Sequence, residues 1–146
     1  MLRGNYLATV DEKGRLKIPT VFRNALLEDY TNEFYVTSPN GDSVRIYPMA
    51  EWVKIEEKLA RLSTFHRTKK KFLNRTNYFG QGVEMDNQGR VLIPAPLREA
   101  AQMKGDVAVL GQLLYLDVWN NDRFMNDIKS NPLTEEDEKI LEELGI

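Results

Sequence analysis

The chain contains no cysteine, which excludes a disulfide framework and any thiolate-held metal, and suits a reducing compartment. It has a single histidine, His66, placed in a basic stretch, and no Ser or Cys nucleophile stands in a recognisable setting beside it. No apolar run approaches the roughly 20 residues that span a bilayer, and Met1-Leu2-Arg3-Gly4-Asn5 lacks the apolar centre of a signal peptide. The expected location is therefore the cytoplasm, with no membrane partner. Gly80-x-Gly82 has neither the spacing nor the length of a dinucleotide loop. Asp11 and Asp86, taken as an acid and base pair, have no second catalytic group to work with. The chain reads as a non-enzyme: no catalytic residue, no metal ligand set, no cofactor and no small-molecule substrate.

What is present is ordinary globular composition, 42% hydrophobic over 146 residues, enough for one domain or for two small units sharing a core. The net charge of −2 hides a division. Residues 1–82 carry 14 Lys and Arg against 9 Asp and Glu, a net +5, whereas residues 83–146 carry 6 against 13, a net −7. Such a split fits a first half that faces an anion and a second half that faces solvent or another subunit, and it also arises on ordinary solvated surfaces.

The strongest pattern is a repeat. Residues 10–26, which include Asp11, Gly14, Arg15, Ile18, Pro19, Arg23 and Ala25, recur 75 positions later as residues 85–101, with Asp86, Gly89, Arg90, Ile93, Pro94, Arg98 and Ala100. Seven of seventeen positions are identical. Each half is thus a copy of one small unit, and whatever the Asp-x-x-Gly-Arg segment does, it does twice.

Periodicity places the elements. Tyr6–Val10 is β-prone, Asp11–Gly14 supplies turn residues, and Arg15–Ile18 alternates polar and apolar as a half-buried strand does; together they predict a local β-hairpin. Pro19 ends the strand, and Thr20 is expected to cap a short helix running through Leu27. Two strands, Phe34–Thr37 and Val44–Tyr47, flank the turn Ser38-Pro39-Asn40-Gly41-Asp42. Trp52, Ile55, Leu59 and Leu62 then mark an amphipathic helix, and a second helix is expected from Arg67 to about Tyr78. The order repeats: Val83–Met85, a turn, Val91–Ile93, a helix entered through Pro96, strands around Val107–Leu110 and Leu114–Trp119, and a helix over Asn121–Lys129. Thr134-Glu135-Glu136-Asp137 reads as a capping box opening a terminal helix that has no counterpart in the first half.

Within the turns, Asp11 and Asp86 suit backbone N–H acceptance, and Gly14 and Gly89 suit positive φ. Arg15 and Arg90 point away from the face of Leu16, Ile18, Val91 and Ile93. Two readings fit them: a surface clamp to the neighbouring Asp, or a rigid hairpin presenting guanidinium groups to nucleic acid, where Arg can take guanine or phosphate with two hydrogen bonds. Lys17 shares the outward face and suits a phosphate, whereas its counterpart is Leu92, so the copies are unequal. Arg23 and Arg98 on the short helices fit either phosphate contact or coverage of the helix by their aliphatic stems. Arg61–Arg75 holds six Lys and Arg and no acid; a solvated helix face and a phosphate contact explain it equally, with Phe65 and Phe72 expected to pack.

Taken together, Gly4-x-Tyr6-x-x-x-Val10-Asp11-x-Lys13-Gly14-Arg15-x-x-Ile18-Pro19-x-x-Phe22-Arg23 and Phe79-Gly80-x-Gly82-x-x-Met85-Asp86-x-Gln88-Gly89-Arg90-x-x-Ile93-Pro94-x-x-Leu97-Arg98 resemble the MraZ transcriptional regulators of bacteria. The resemblance covers both repeats, roughly residues 1–130. It implies an α+β, mainly β fold of two tandem AbrB-like (SpoVT-AbrB) swapped-hairpin modules, forming a pseudo-two-fold double-ψ-like barrel with short flanking helices. The division expected is 1–78 for the first repeat with its connecting helices, 79–130 for the second, and 131–146 for an acidic C-terminal helix. It further implies a nucleoid-associated, ring-shaped homo-oligomer that binds direct repeats in double-stranded promoter DNA of the division and cell-wall gene cluster, including its own gene. By position, the implied DNA contacts are Arg15 and Arg90 with Lys13 and Lys17, supported by Asp11, Gly14, Asp86 and Gly89. An oligomeric ring that binds an acidic partner without sequence preference is the alternative.

Overall fold

The computed structural model describes residues 1–146. The molecule is α+β, built mainly around antiparallel β structure: β1 (Asn5–Thr9), β2 (Arg15–Lys17), α1 (Thr20–Asp29), β3 (Glu33–Thr37), β4 (Val44–Pro48), α2 (Met49–Ala60) and α3 (Arg67–Tyr78) make up the first part. β5 (Gln81–Glu84), β6 (Arg90–Leu92), α4 (Ala95–Ala100), β7 (Asp106–Gly111), β8 (Leu116–Asn120), α5 (Asn121–Ser130) and α6 (Glu135–Glu143) follow.

Six strands form one sheet in the order β1-β7-β8-β4-β3-β5, and β2 pairs with β6 in a separate two-stranded ribbon. The internal repeat is visible in that order, which reads the same from both ends when each strand is exchanged for its copy. Two register pairs lie at the centre of the exchange: Leu16 opposite Val91 in the ribbon, and Arg45 opposite Asp117 where β4 meets β8. Arg45 lies over the Tyr115 ring at 5.2 Å and donates to the Tyr47 hydroxyl at 3.1 Å, while the Asp117 carboxylate accepts from Ser43 and Trp119.

The predicted local hairpins are corrected by this pairing. The turns close, with the Asp11 N–H donating to the Arg15 carbonyl at 2.9 Å and a single bridge between Val10 and Leu16. Beyond that bridge the strands part. β1 runs to the sheet edge against β7, β5 runs to the opposite edge against β3, and β2 and β6 find each other across the repeat. A lone hairpin would cover Leu16 and Ile18 on one side only. Joining the copies buries Leu16, Ile18, Val91 and Ile93 almost completely.

The core lies between the inner face of the sheet and the ribbon with α1 and α4. Phe34, Val36, Val44, Ile46, Val107, Val109, Leu116 and Val118 line the sheet side. Phe22 and Leu26 enter from α1, and Leu97 from α4. Each large apolar side chain buried in this way contributes about 1.5–3 kcal/mol before entropy is counted. The outer face carries α2, α3 and α5 over an aromatic layer. Trp52 of α2 stacks on Tyr35 at 4.6 Å and meets Tyr47 at 5.1 Å, while Phe124 of α5 meets Trp119 at 5.4 Å.

Helix ends differ from expectation in two places. Thr20 is the first helical residue of α1 and Pro19 occupies the cap without a side-chain bond; proline fixes φ near the value the turn needs, and the same geometry recurs at Pro48 and Pro94. Leu62 lies beyond the end of α2 at 41% exposure. The terminal capping box forms as predicted, with Thr134 and Asp137 each bonding the other's backbone N–H.

Candidate nucleic-acid interface

The two Asp-x-x-Gly-Arg turns are built alike. Asp11 Oδ1 accepts from the N–H groups of Lys13 and Arg15, both at 2.9 Å, and Oδ2 accepts from Arg15 Nε at 2.9 Å. Asp86 holds Gln88 and Arg90 N–H at 2.9 Å and Arg90 Nε at 2.8 Å. Gly14 and Gly89 take φ of 82° and 76°, the left-handed region where a side chain is strained. The backbone N–H of Arg15 is the main reason that the Asp11 carboxyl is held below its ordinary value of 3.8, and the Arg15 guanidinium adds to it. Asp86 is lowered in the same way by Arg90. Both carboxylates stay charged and hold their arginines at neutral pH.

Each turn is also locked by the other copy. Arg23 of α1 donates to the Asn87 carbonyl at 2.9 Å, and Arg98 of α4 donates to the Lys13 carbonyl at 3.2 Å. The Ile18 N–H donates to Gly89 O at 2.8 Å, and the Ile93 N–H to Gly14 O at 2.9 Å. A Cβ on Gly14 would overlap the Arg98 guanidinium, and one on Gly89 would sit 2.9 Å from Arg23 Cδ. The two helix arginines therefore clamp the opposite turn. That role was not visible in the sequence, although a recurring Arg eight residues after each turn arginine was its signal.

On the ribbon, Leu16 and Val91 face the core, so the outward positions of β2 and β6 are Arg15, Lys17, Arg90 and Leu92. Arg15 lies opposite Leu92, and Lys17 opposite Arg90. The Arg15 and Arg90 side chains keep 30% and 26% exposure. Their Nε groups are held by the aspartates, and the terminal Nη groups make no bond within the chain. Ion pairs this exposed add little stability; what they supply is orientation. The ribbon thus brings Arg15, Lys17 and Arg90 onto one small face with Leu92, with Lys13 exposed in the adjoining turn. Such a ribbon has the width of a DNA major groove, and guanidinium Nη groups can bond guanine or phosphate oxygens.

The Arg61–Arg75 stretch is apart from this ribbon, on and before α3. Phe72 packs on Trp52 at 6.3 Å, as expected, whereas Phe65 is 92% exposed and packs on nothing. No helix is long and apolar enough to cross a membrane.

A palindromic antiparallel sheet, a ribbon joined across an internal repeat, and paired turn-Asp and strand-Arg clusters define a class of duplicated β proteins with twin cationic turns. The chain belongs to the MraZ family: the model described as "MraZ protein, putative antitoxin-like" matches residues 1–75 and again 80–143. Full-length relatives named "Transcriptional regulator MraZ" include that of Koribacter versatilis, 53% identical over 147 residues, and that of Acidobacterium capsulatum, 51% identical over 146, each covering 100% of both chains. The protein of the same name from Syntrophobacter fumaroxidans is 38% identical over 127 residues, 87% of this chain and 84% of its own length.

Proposed function

We propose that this chain is a sequence-specific DNA-binding transcriptional regulator. The observation that carries the reading is the outward ribbon face, where two arginines, fixed at Nε by turn aspartates, offer their Nη groups beside Lys17. Arg15 and Arg90 read bases or phosphates, Lys13 and Lys17 add phosphate contacts, and Asp11, Gly14, Asp86 and Gly89 hold the geometry. The names of its relatives support this reading, and nothing in it calls for catalysis or a cofactor.

In this reading residues 1–78 and 79–130 act as two AbrB-like swapped-hairpin modules of a double-ψ-like barrel, and 131–146 is a separate acidic helix. The cross-repeat pairing of β2 with β6 supports the swap. One chain offers few cations, and counterion release scales with phosphates neutralised, so several linked ribbons would gain by effective concentration. A homo-oligomeric ring would present successive ribbons with one polarity and so suits direct repeats spaced near the helical period of about 10.5 bp. The target is the promoter of the division and cell-wall gene cluster, including this protein's own gene, which places the protein on the nucleoid in the cytoplasm.

A titration of the full chain against the DNA upstream of its own gene, with a scrambled fragment of equal length, tests the reading at physiological salt. Preference for the native fragment by at least about 4 kcal/mol is expected of a specific binder. Equal affinity for both fragments favours the alternative, a ring that binds acidic partners without sequence preference.

A further inference from the structure

The helix α6 is fully formed and lies at the surface of the molecule. None of its residues is buried, and the side-chain bonds of Thr134 and Asp137 stay within the helix's own capping box. Ile140 and Leu144 lie one turn apart at 50% and 68% exposure, continued by Leu133 and Ile146 at 69% and 82%. Nine residues is too short for a helix to be stable in water without a partner. Residues 131–146 also carry six Asp and Glu against one Lys. The four residues Asn131–Thr134 tether α6 to α5, a reach of roughly 14 Å, and the apolar side chains of α5 itself, Met125 and Ile128, stay 45% and 49% exposed.

The complementary surface lies elsewhere in the same sequence. From Arg61 to Arg75 there are six Lys and Arg and no acid. Leu62 and Phe65 stand exposed at the entrance to α3, at 41% and 92%. Beside them Thr64, Lys69, Lys70, Leu73 and Asn74 line a shallow hollow of about 250 Å³. It has the composition that an acidic amphipathic helix requires: Leu73 as apolar lining with Lys69 and Lys70 as cations, and the exposed Phe65 ring next to Thr64 in the chain. Lys69 Nζ is already tied to the Leu62 carbonyl at 3.0 Å, which fixes the rim in place.

We propose that α6 of one chain docks on the basic α3 surface of a second copy, setting Ile140 and Leu144 against Phe65 and Leu73 and the acids of its first turn against Lys69 and Lys70. Each copy holds one helix and one receptor, so the contact is head-to-tail and propagates through an assembly. The inference rests on the self-association included in the reading above and names one contact within it. It also assigns the basic stretch to a protein neighbour, leaving the ribbon as the nucleic-acid face. Phosphate binding at Arg61–Arg75 is the competing outcome.

The absence of native cysteine allows a clean test. A tagged Leu73→Cys chain is mixed with an untagged Ile140→Cys chain under mild oxidation, and the disulfide-linked pairs are resolved by mass. Mixed pairs are expected to form at least about tenfold faster than either like pair. Adding Lys69→Glu and Lys70→Glu to the tagged chain removes that excess, and restoring opposite charge with Glu135→Lys and Glu138→Lys on the untagged chain returns it. Random pairing, or pairing indifferent to the charge reversals, overturns the proposal. Sedimentation of the unsubstituted chain in the same buffer separates the two readings. An oligomer without the mixed-pair excess refutes this contact alone, and a monomer at all concentrations refutes both the contact and the self-association it rests on.

Discussion

Arg15 and Arg90 have equivalent tethers and unequal surroundings. Arg15 lies across from Leu92, whereas Arg90 lies across from Lys17, so Arg15 is the arginine with an apolar neighbour and Arg90 the one with a second cation to share its load. The first half also carries the positive charge, +5 against −7. Arg15→Ala should therefore weaken promoter binding more than Arg90→Ala; anisotropy titrations of the two variants check this, and equal losses would show that the copies contribute alike. The aspartates add a pH dependence with a definite sign. Their folded-state values are depressed below 3.8, so their contribution to turn order is complete above the ordinary carboxylate range and is lost as pH falls through the lowered values. The turn amides of Lys13, Arg15, Gln88 and Arg90 should keep their chemical shifts from pH 7 to about pH 4 and change only below it; a transition near pH 5–6 in an NMR titration would contradict the tethers described here.

At the scale of elements, the turn is the unit that the rest of the structure supports. Gly14→Ala places a Cβ at φ 82° and against the Arg98 guanidinium, which should cost about 1–3 kcal/mol and detach the clamp, seen as a lower denaturation midpoint with an unchanged m-value. Gly105→Ala, at φ 65° with open space around it, should cost only the backbone term and serves as the comparison. These elements were largely legible in the sequence. The bounds of α3, the turn between β3 and β4, and the Thr134 capping box follow from periodicity and turn chemistry, which are local. The strand partners were not legible. Alternation in Arg15–Lys17 reports that Leu16 faces a core, and nothing in it says whether the neighbouring strand is Tyr6–Val10 or a segment 75 residues away. The same limit applies to Arg23 and Arg98, whose partners are carbonyls in the other copy, and to Phe65, whose apolar character suggested burial that the fold does not provide.

On the scale of the molecule, the duplication does more than double a motif. Because β2 and β6 complete each other and Arg23 and Arg98 cross between copies, neither turn is rigid without its twin, and the two cationic sites are held at one fixed separation. A rigid pair is what a reader of nucleic acid requires, since a loosely held arginine loses its bonding advantage to conformational entropy. The acidic tail 131–146, with six acids against one Lys, suits a role in assembly better than contact with a polyanion. The measurement that tests this account most directly is promoter binding by the full chain carrying both Arg15→Ala and Arg90→Ala, with circular dichroism and sedimentation showing an intact fold. The account predicts that affinity for the native upstream fragment falls by at least about tenfold and approaches that for scrambled DNA; unchanged, sequence-preferring binding by the folded double variant would contradict it.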